Sequence, residues 1–209
     1  MKYEIVPTII AKDQVDLNSK CDRLIPYFQT FHLDIMDGIF VPNHSLDFEE
    51  FIVPAGKNYE AHLMVDKPER WMKKKIHNLD IVIANIEKVK DIRQLVSDLT
   101  TKKKKIGFAL NPETDISPLF PYLKQIDLVL LLAVTPGGYG GNFQSSVYDK
   151  IGALRMIYAG DIEVDGGMNP MTIHFCKDVG ANRFAVGSYL QKRNDIDKAA
   201  EELIAVLRK

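Results

Sequence analysis

Short apolar segments alternate with longer segments of helical periodicity along the chain. Eight of the short segments are rich in apolar and β-branched residues, which is typical of strands that are buried on both faces. These segments span Glu4–Ile10, Phe31–Met36, Tyr59–Val65, Asp80–Ile86, Lys105–Leu110, Asp127–Val134, Asp161–Asp165 and Arg183–Gly187. The pattern therefore predicts eight strands.

Between the strands, apolar residues recur at the three- and four-residue spacing of amphipathic helices. The predicted helices span Val15–Phe28, Pro68–Asn78, Ile92–Thr100, Ile116–Leu123, Val147–Tyr158, Met171–Val179 and Ile196–Leu207. Repeated strand–helix alternation predicts an α/β protein, a (β/α)8 TIM barrel formed by residues 1–209 as a single domain. An open, doubly wound sheet is the alternative, because alternation along the chain does not show that the sheet closes.

Reactive residues lie toward the carboxyl ends of the predicted strands, where barrels of this class carry their active sites. His32 and Asp34 are two residues apart on the second strand, so both side chains point to one face. His62 belongs to the third strand and Asp165 ends the seventh. Each residue alone could satisfy the core or cap a turn. Together, two histidines and two carboxylates suit one divalent cation, Zn²⁺ first and Fe²⁺, Mn²⁺ or Co²⁺ as alternatives.

Glycine-rich loops follow the last three predicted strands. They contain Gly138, Gly140 and Gly141, then Gly166 and Gly167, then Gly187 with Ser188. Glycine lets backbone N–H groups approach an anion, and the loops after strands seven and eight often form a phosphate site. Glycine also serves any tight turn, but three such loops in succession indicate a phosphorylated ligand.

Composition narrows the class of protein further. The chain has 209 residues, of which 46% are hydrophobic and 26% charged, and its net charge is −1. A near-neutral chain has no overall field to hold nucleic acid. No apolar segment approaches the roughly 20 residues that cross a bilayer, and the N-terminus lacks the features of a signal peptide. Cys21 and Cys176 have no metal-binding spacing and are expected to be free thiols. We therefore expect a cytoplasmic protein without nucleic-acid or membrane partners.

Four motifs together resemble the ribulose-phosphate 3-epimerase family. They are His32-Leu33-Asp34-Ile35-Met36-Asp37-Gly38, His62-Leu63-Met64-Val65, Val164-Asp165-Gly166-Gly167 and Val186-Gly187-Ser188. Weaker similarity extends from Pro7 to Ser188. The resemblance implies a (β/α)8 barrel that interconverts D-ribulose 5-phosphate and D-xylulose 5-phosphate in the pentose phosphate pathway. It also implies a homo-oligomer, either a dimer or a hexamer.

Carried over by position, the resemblance implies that His32, Asp34, His62 and Asp165 bind the metal. Asp34 and Asp165 would also be the catalytic acid–base pair. Epimerisation at C3 removes a proton beside the C2 carbonyl and returns one on the opposite face, which requires two groups that flank an enediolate.

The resemblance also implies which residues contact a phosphorylated ketose. By this resemblance, the residues that line the sugar would be Thr8, His62, Met36 and Met64. The thioethers of the two methionines are polarizable but cannot transfer protons, so they would contact the sugar without acting as acid or base. The glycine loops and Ser188 would hold the phosphate.

The periphery of this predicted site departs from the family pattern. Thr8 stands where the family usually has serine, and Asn85 where it commonly has histidine. Leu132 replaces a methionine, and Asn111 occupies a common lysine position. An epimerase of another ketose phosphate, such as a hexulose 6-phosphate, is therefore a second hypothesis. A barrel that binds a sugar phosphate without catalysis is a third, although the intact pair of aspartates argues against it.

Overall fold

Eight parallel strands close into a barrel in the computed structural model, which describes residues 2–45, 52–72, 79–101, 105–137 and 141–208. The strands are β1 Glu4–Ile9, β2 Thr30–Met36, β3 Asn58–Met64, β4 Ile81–Asn85, β5 Lys105–Leu110, β6 Leu128–Leu132, β7 Asp161–Asp165 and β8 Arg183–Val186. Each strand pairs with its neighbours in sequence, and β1 pairs with β8 to complete the ring. The predicted (β/α)8 barrel is confirmed, and the open sheet is excluded.

Helices follow most of the strands. They are α1 Gln14–Leu24, α2 Pro68–Met72, α3 Ile92–Thr101, α4 Val147–Arg155, α5 Pro170–Asp178, α6 Ser188–Gln191 and α7 Ile196–Arg208, with 3₁₀ helices at Ile86–Lys88 and Ser117–Tyr122. No helix among these described residues is long and apolar enough to span a membrane. Both cysteines are buried free thiols.

Proline explains two differences from the predicted helices. The first helix ends at Leu24 rather than at Phe28, since Pro26 has no N–H to continue the helical hydrogen bonds beyond Ile25. The segment predicted as a helix at Ile116–Leu123 forms a 3₁₀ helix, and Pro121 inside it lacks the N–H donor that a regular α-helix would need there. Part of the predicted helix Pro68–Asn78, residues 73–78, lies outside the described residues.

The inside of the barrel has an apolar side and a polar side. Most inward residues of β4 to β6 pack into one apolar cluster, made of Ile81, Ile83, Ala109, Leu128, Leu130 and Leu132. The other strands contribute polar inward residues, among them the fully buried Glu60 and Glu163. A buried ionisable group is costly unless it is paired or bound to a ligand. The polar side of the barrel is therefore where a functional site is expected.

Candidate active site

The register of β2 and β3 brings polar side chains together inside the barrel. Asp34 lies opposite His62, and His32 lies opposite Glu60. Asp165, at the carboxyl end of β7, completes the group. One ligand atom from each of His32, Asp34, His62 and Asp165 lies within 4.8 Å of the others. All four predicted metal ligands therefore meet at one place.

Asp34 lies at the centre of this group. Its Oδ1 atom is 3.3 Å from His32 Nε2 and 3.3 Å from His62 Nδ1. His32 Nε2 is buried and has no hydrogen-bond partner among the described residues. An unsatisfied buried nitrogen is unfavourable, and one that faces a carboxylate is the arrangement that a cation between them would relieve. The four side chains thus fit a divalent cation.

Asn85 sets the orientation of the second histidine. Asn85 Oδ1 lies 2.8 Å from His62 Nε2. The amide nitrogen of Asn85 faces two acceptors, Glu87 Oε2 at 3.5 Å and Asn111 Oδ1 at 3.4 Å, which supports this placement of its oxygen. Since an amide oxygen only accepts, His62 Nε2 carries the proton and donates it. Its Nδ1 lone pair is then directed toward Asp34.

The two aspartates have pKa values displaced in opposite directions. Burial alone would raise the pKa of Asp34, but the adjacent His32 and His62 rings, which attract its negative charge when they are protonated, outweigh burial and lower the pKa to about 2. Asp165 is partly exposed at the mouth of the barrel. Its burial, together with the nearby Asp34 carboxylate, raises its pKa to about 6. Two carboxyl groups with such different pKa values are typical of an acid–base pair.

A cleft of about 500 Å³, partly open to solvent, lies over this group. It is lined by nine residues of the predicted site, namely Thr8, Asp34, Met64, Gly141, Asp165, Gly166, Gly167, Gly187 and Ser188. Met36 packs against Met64 and Val41 beside the cleft. Gly138 and Gly140, which were also predicted to bind substrate, lie outside the described residues. Most of the predicted site residues that the structure describes therefore border one cleft.

The loop after β7 requires its two glycines. Gly166 and Gly167 have φ angles of 101° and 67°, which other residues rarely adopt. A Cβ atom on Gly166 would lie 2.5 Å from Val134. The hydroxyl of Thr172, which also takes part in the capping box at the start of α5, donates to the carbonyl of Gly167 at 3.0 Å. The loop is therefore held firmly against the cleft.

Comparison with known proteins identifies the family. Residues 4–191 match the model of the family described as "Ribulose-phosphate 3 epimerase family". The chain belongs to the ribulose-phosphate 3-epimerase family. It is accordingly an epimerase that acts on carbohydrates.

Curated relatives match over nearly the whole chain. A cytoplasmic isoform of ribulose-phosphate 3-epimerase from Oryza sativa subsp. japonica is 33% identical, covering 99% of this chain and 93% of the relative. The ribulose-phosphate 3-epimerase of Chlamydia pneumoniae is 32% identical, covering 97% of this chain and 93% of the relative. That of Schizosaccharomyces pombe is 29% identical, covering 100% and 93%.

Solved structures of other proteins share the fold. A mutant tryptophan synthase α-subunit from Pyrococcus furiosus superposes with a TM-score of 0.72 at 16% identity, covering 98% of this chain and 100% of that one. A thiamine phosphate pyrophosphorylase from Pyrococcus furiosus gives a TM-score of 0.62 at 13% identity, covering 99% and 96%. At such low identity these likenesses concern the barrel alone.

Sequence analysis missed three residues that contact or support His32 in this family member. Glu60 and Glu163 approach His32 Nδ1 to 2.7 and 3.1 Å, and Arg183 binds both glutamates. A signal was present, because Glu60 lies two residues before His62 and Glu163 two residues before Asp165. The two-residue period of a strand places each glutamate on the same inner face as the site residue that follows it.

Proposed function

We propose that the protein interconverts D-ribulose 5-phosphate and D-xylulose 5-phosphate by epimerisation at C3. The observation that carries the proposal is the pair Asp34 and Asp165, which adjoin two histidines beneath one cleft and differ widely in pKa. The names of the relatives support the choice of substrate.

The two aspartates would exchange protons with C3 from different sides. They lie on β2 and β7, which are three positions apart in the ring of eight strands. Asp34 has the lower pKa and is ionised, so it can accept the C3 proton. Asp165 has a raised pKa, so it can hold a proton and return it to the other face of the enediolate. In the reverse reaction the roles exchange.

We propose that His32, Asp34, His62 and Asp165 hold one divalent cation. When bound there, the cation would supply positive charge that stabilises the negative charge developing on the C2 and C3 oxygens. Two imidazoles and two carboxylates favour Zn²⁺, with Fe²⁺, Mn²⁺ and Co²⁺ as alternatives. The buried, unpartnered Nε2 atom of His32 supports the assignment.

The remaining residues of the cleft would bind and orient the sugar phosphate. We assign the phosphate to the glycine loops and Ser188, with Gly141, Gly166, Gly167 and Gly187 lining the cleft. Gly138 and Gly140 stay a prediction. Thr8, Met36 and Met64 would adjoin the sugar chain. A homo-oligomeric state, as a dimer or hexamer, and a cytoplasmic location also stay predictions.

The test is turnover of D-ribulose 5-phosphate in D₂O by the purified protein, with and without a chelator. We expect the chelator to stop both epimerisation and deuterium incorporation at C3, and added Zn²⁺ to restore them. Asp34→Asn and Asp165→Asn should each lower turnover by about 10²- to 10⁴-fold.

Asp161→Asn is the matched control, since Asp161 begins the strand that Asp165 ends and its carboxylate accepts a hydrogen bond from Asn182. It should retain wild-type turnover. Normal turnover by Asp165→Asn would contradict the mechanism.

A second substrate remains to be compared, because Leu132 lines the cleft where the family usually has methionine. Initial rates on a hexulose 6-phosphate should be lower than on D-ribulose 5-phosphate. The opposite order would overturn the substrate assignment and leave the epimerase chemistry in place.

A further inference from the structure

Two carboxylates contact the imidazole of His32 on the side opposite Asp34. Its Nδ1 atom lies 2.7 Å from Glu60 Oε1 and 3.1 Å from Glu163 Oε1. Both glutamates and the histidine are fully buried. Carboxylate oxygens accept hydrogen bonds, so this contact favours a proton on Nδ1. When the ring is neutral, as a metal ligand must be, the lone pair is then left on Nε2, which faces Asp34 and the other predicted ligands.

Arg183 holds the two glutamates in place with its planar fork of donors. Its Nε atom is 2.8 Å from Glu163 Oε2, and one terminal nitrogen binds Glu60 Oε2. The other terminal nitrogen is 2.6 Å from Glu4 Oε2. Glu60 thus gives one oxygen to Arg183 and the other to the hydrogen bond with His32. Glu163 also gives one oxygen to Arg183, and its other oxygen lies close to His32 Nδ1 without a hydrogen-bond partner among the described residues. An arginine fork fixes carboxylates in orientation as well as neutralising them.

We propose that Glu60, Glu163 and Arg183 are positioning residues, which hold His32 in the tautomer and orientation that bind the cation. The proposal rests on the proposed function, because it takes His32 to be a metal ligand. Hydrogen bonds from a metal-bound histidine to a carboxylate fix the ring and raise its basicity. Stability alone gives no reason for such a cluster, since apolar side chains in the same space are often as stable as a buried ion pair.

Glu4 provides a matched control within the same cluster. It accepts a hydrogen bond from Arg183 and one from Thr30, at 2.7 Å, and no contact joins it to His32 among the described residues. Replacing Glu4, Glu60 or Glu163 by glutamine removes one carboxyl group from the cluster in each case. Only the last two changes alter the grip on the imidazole.

The experiment measures Zn²⁺ affinity by competition with a chromogenic chelator, for the wild type and for Glu60→Gln, Glu163→Gln and Glu4→Gln. We expect each of the first two variants to bind Zn²⁺ about 10- to 100-fold more weakly, while Glu4→Gln stays close to the wild type. The visible spectrum of the Co²⁺-loaded protein should change in the same two variants. A purely structural role would leave that spectrum unmoved in a folded variant.

A further variant separates contact from charge. Glu163→Asp keeps the negative charge but shortens the side chain by one methylene group and so withdraws the carboxylate from His32, and it should weaken Zn²⁺ binding to a similar degree. Wild-type affinity in this variant and in Glu60→Gln would overturn the proposal, while chelator-sensitive turnover of the wild type would keep the proposed function. A wild type that binds neither Zn²⁺ nor Co²⁺ would overturn both.

Discussion

The two ends of the polar interior contain similar residues but pair them differently. At the mouth, Asp34 and Asp165 line the cleft, and His62 lies beside Asp34 with a ligand atom close to both. At the other end, the three carboxylates around Arg183 each meet one nitrogen of its guanidinium. Burial is comparable, so the difference lies in whether the protein itself supplies a cation to the carboxylates. Carboxylates without a cation from the protein mark the place where a metal ion would bind, and carboxylates that share an arginine mark support.

The largest loss of stability should come from removing Arg183, which binds all three carboxylates at its end of the barrel. Arg183→Met leaves Glu60 and Glu163 buried without their cation, and unpaired buried charge is strongly destabilising. We expect the free energy of unfolding, measured by urea denaturation at pH 7, to fall by about 3–5 kcal/mol.

The double variant Arg183→Met/Glu163→Gln should recover part of this loss, because it removes one of the stranded charges. Unchanged stability in the single variant would contradict the view that Arg183 supplies the cation that Glu60 and Glu163 need when they are buried.

A smaller loss of stability is expected when Asn85, which orients His62, is replaced. Asn85→Ala removes the acceptor of the His62 Nε2 proton at a fully buried position. Leaving that donor unsatisfied should cost about 1–3 kcal/mol of unfolding free energy in the metal-free protein. Asn111→Ala is the control, because Asn111 is partly exposed and contacts Asn85 only at 3.4 Å. Equal losses in the two variants would argue against a specific role for Asn85.

The smallest change in stability is expected for Asp165→Asn at the mouth of the barrel, and this substitution should stabilise the protein rather than destabilise it. The pKa of Asp165 is raised to about 6 in the folded protein, against about 3.9 in an unfolded chain. Its contribution to stability is therefore present below pH 4 and is lost as the pH rises through 6. In chelator-treated protein, Asp165→Asn should gain about 1–2 kcal/mol of unfolding free energy over the wild type between pH 4.5 and pH 7.

Asp34→Asn should behave in the reverse way. The folded pKa of Asp34 is lowered to about 2, so its contribution is present above the unfolded value and is lost only as the pH falls toward 2. Removing the carboxylate should therefore destabilise the protein at neutral pH. A gain in stability from both substitutions at pH 7 would show that the two aspartates are not distinguished by their surroundings.

Local rules accounted for much of the fold and for the four central site residues. The bounds of β5 and β7 match the predicted segments. After its first residue β5 is a continuous apolar run, as expected of a strand buried on both faces. His32 and Asp34 could be placed on one face because the strand period is two. Helix α6 was missed, since its four residues are too few to show helical periodicity.

The cluster of residues that contacts the Nδ1 side of His32 could not be predicted from the two-residue period of single strands. Glu60, Glu163 and Arg183 come from three strands, and their meeting requires closure of the ring as well as each strand's register. The contact of Asn85 with His62 likewise depends on the packing of β3 against β4. Period and motif could indicate which face these residues occupy, whereas the partner of each was fixed only by the closed barrel.

Closure of the ring also has a consequence for the protein while it is being synthesised on the ribosome. The ion pair of Glu4 with Arg183 joins residues 179 positions apart, and it lies where β1 meets β8. At usual rates of synthesis a ribosome needs about 10–40 s to make that length of chain. During this interval β1 has an unpaired edge, which is a template for association with other chains. The nascent protein is therefore most exposed to aggregation before its last strand emerges, and a chaperone that shields the first strand would act in that period.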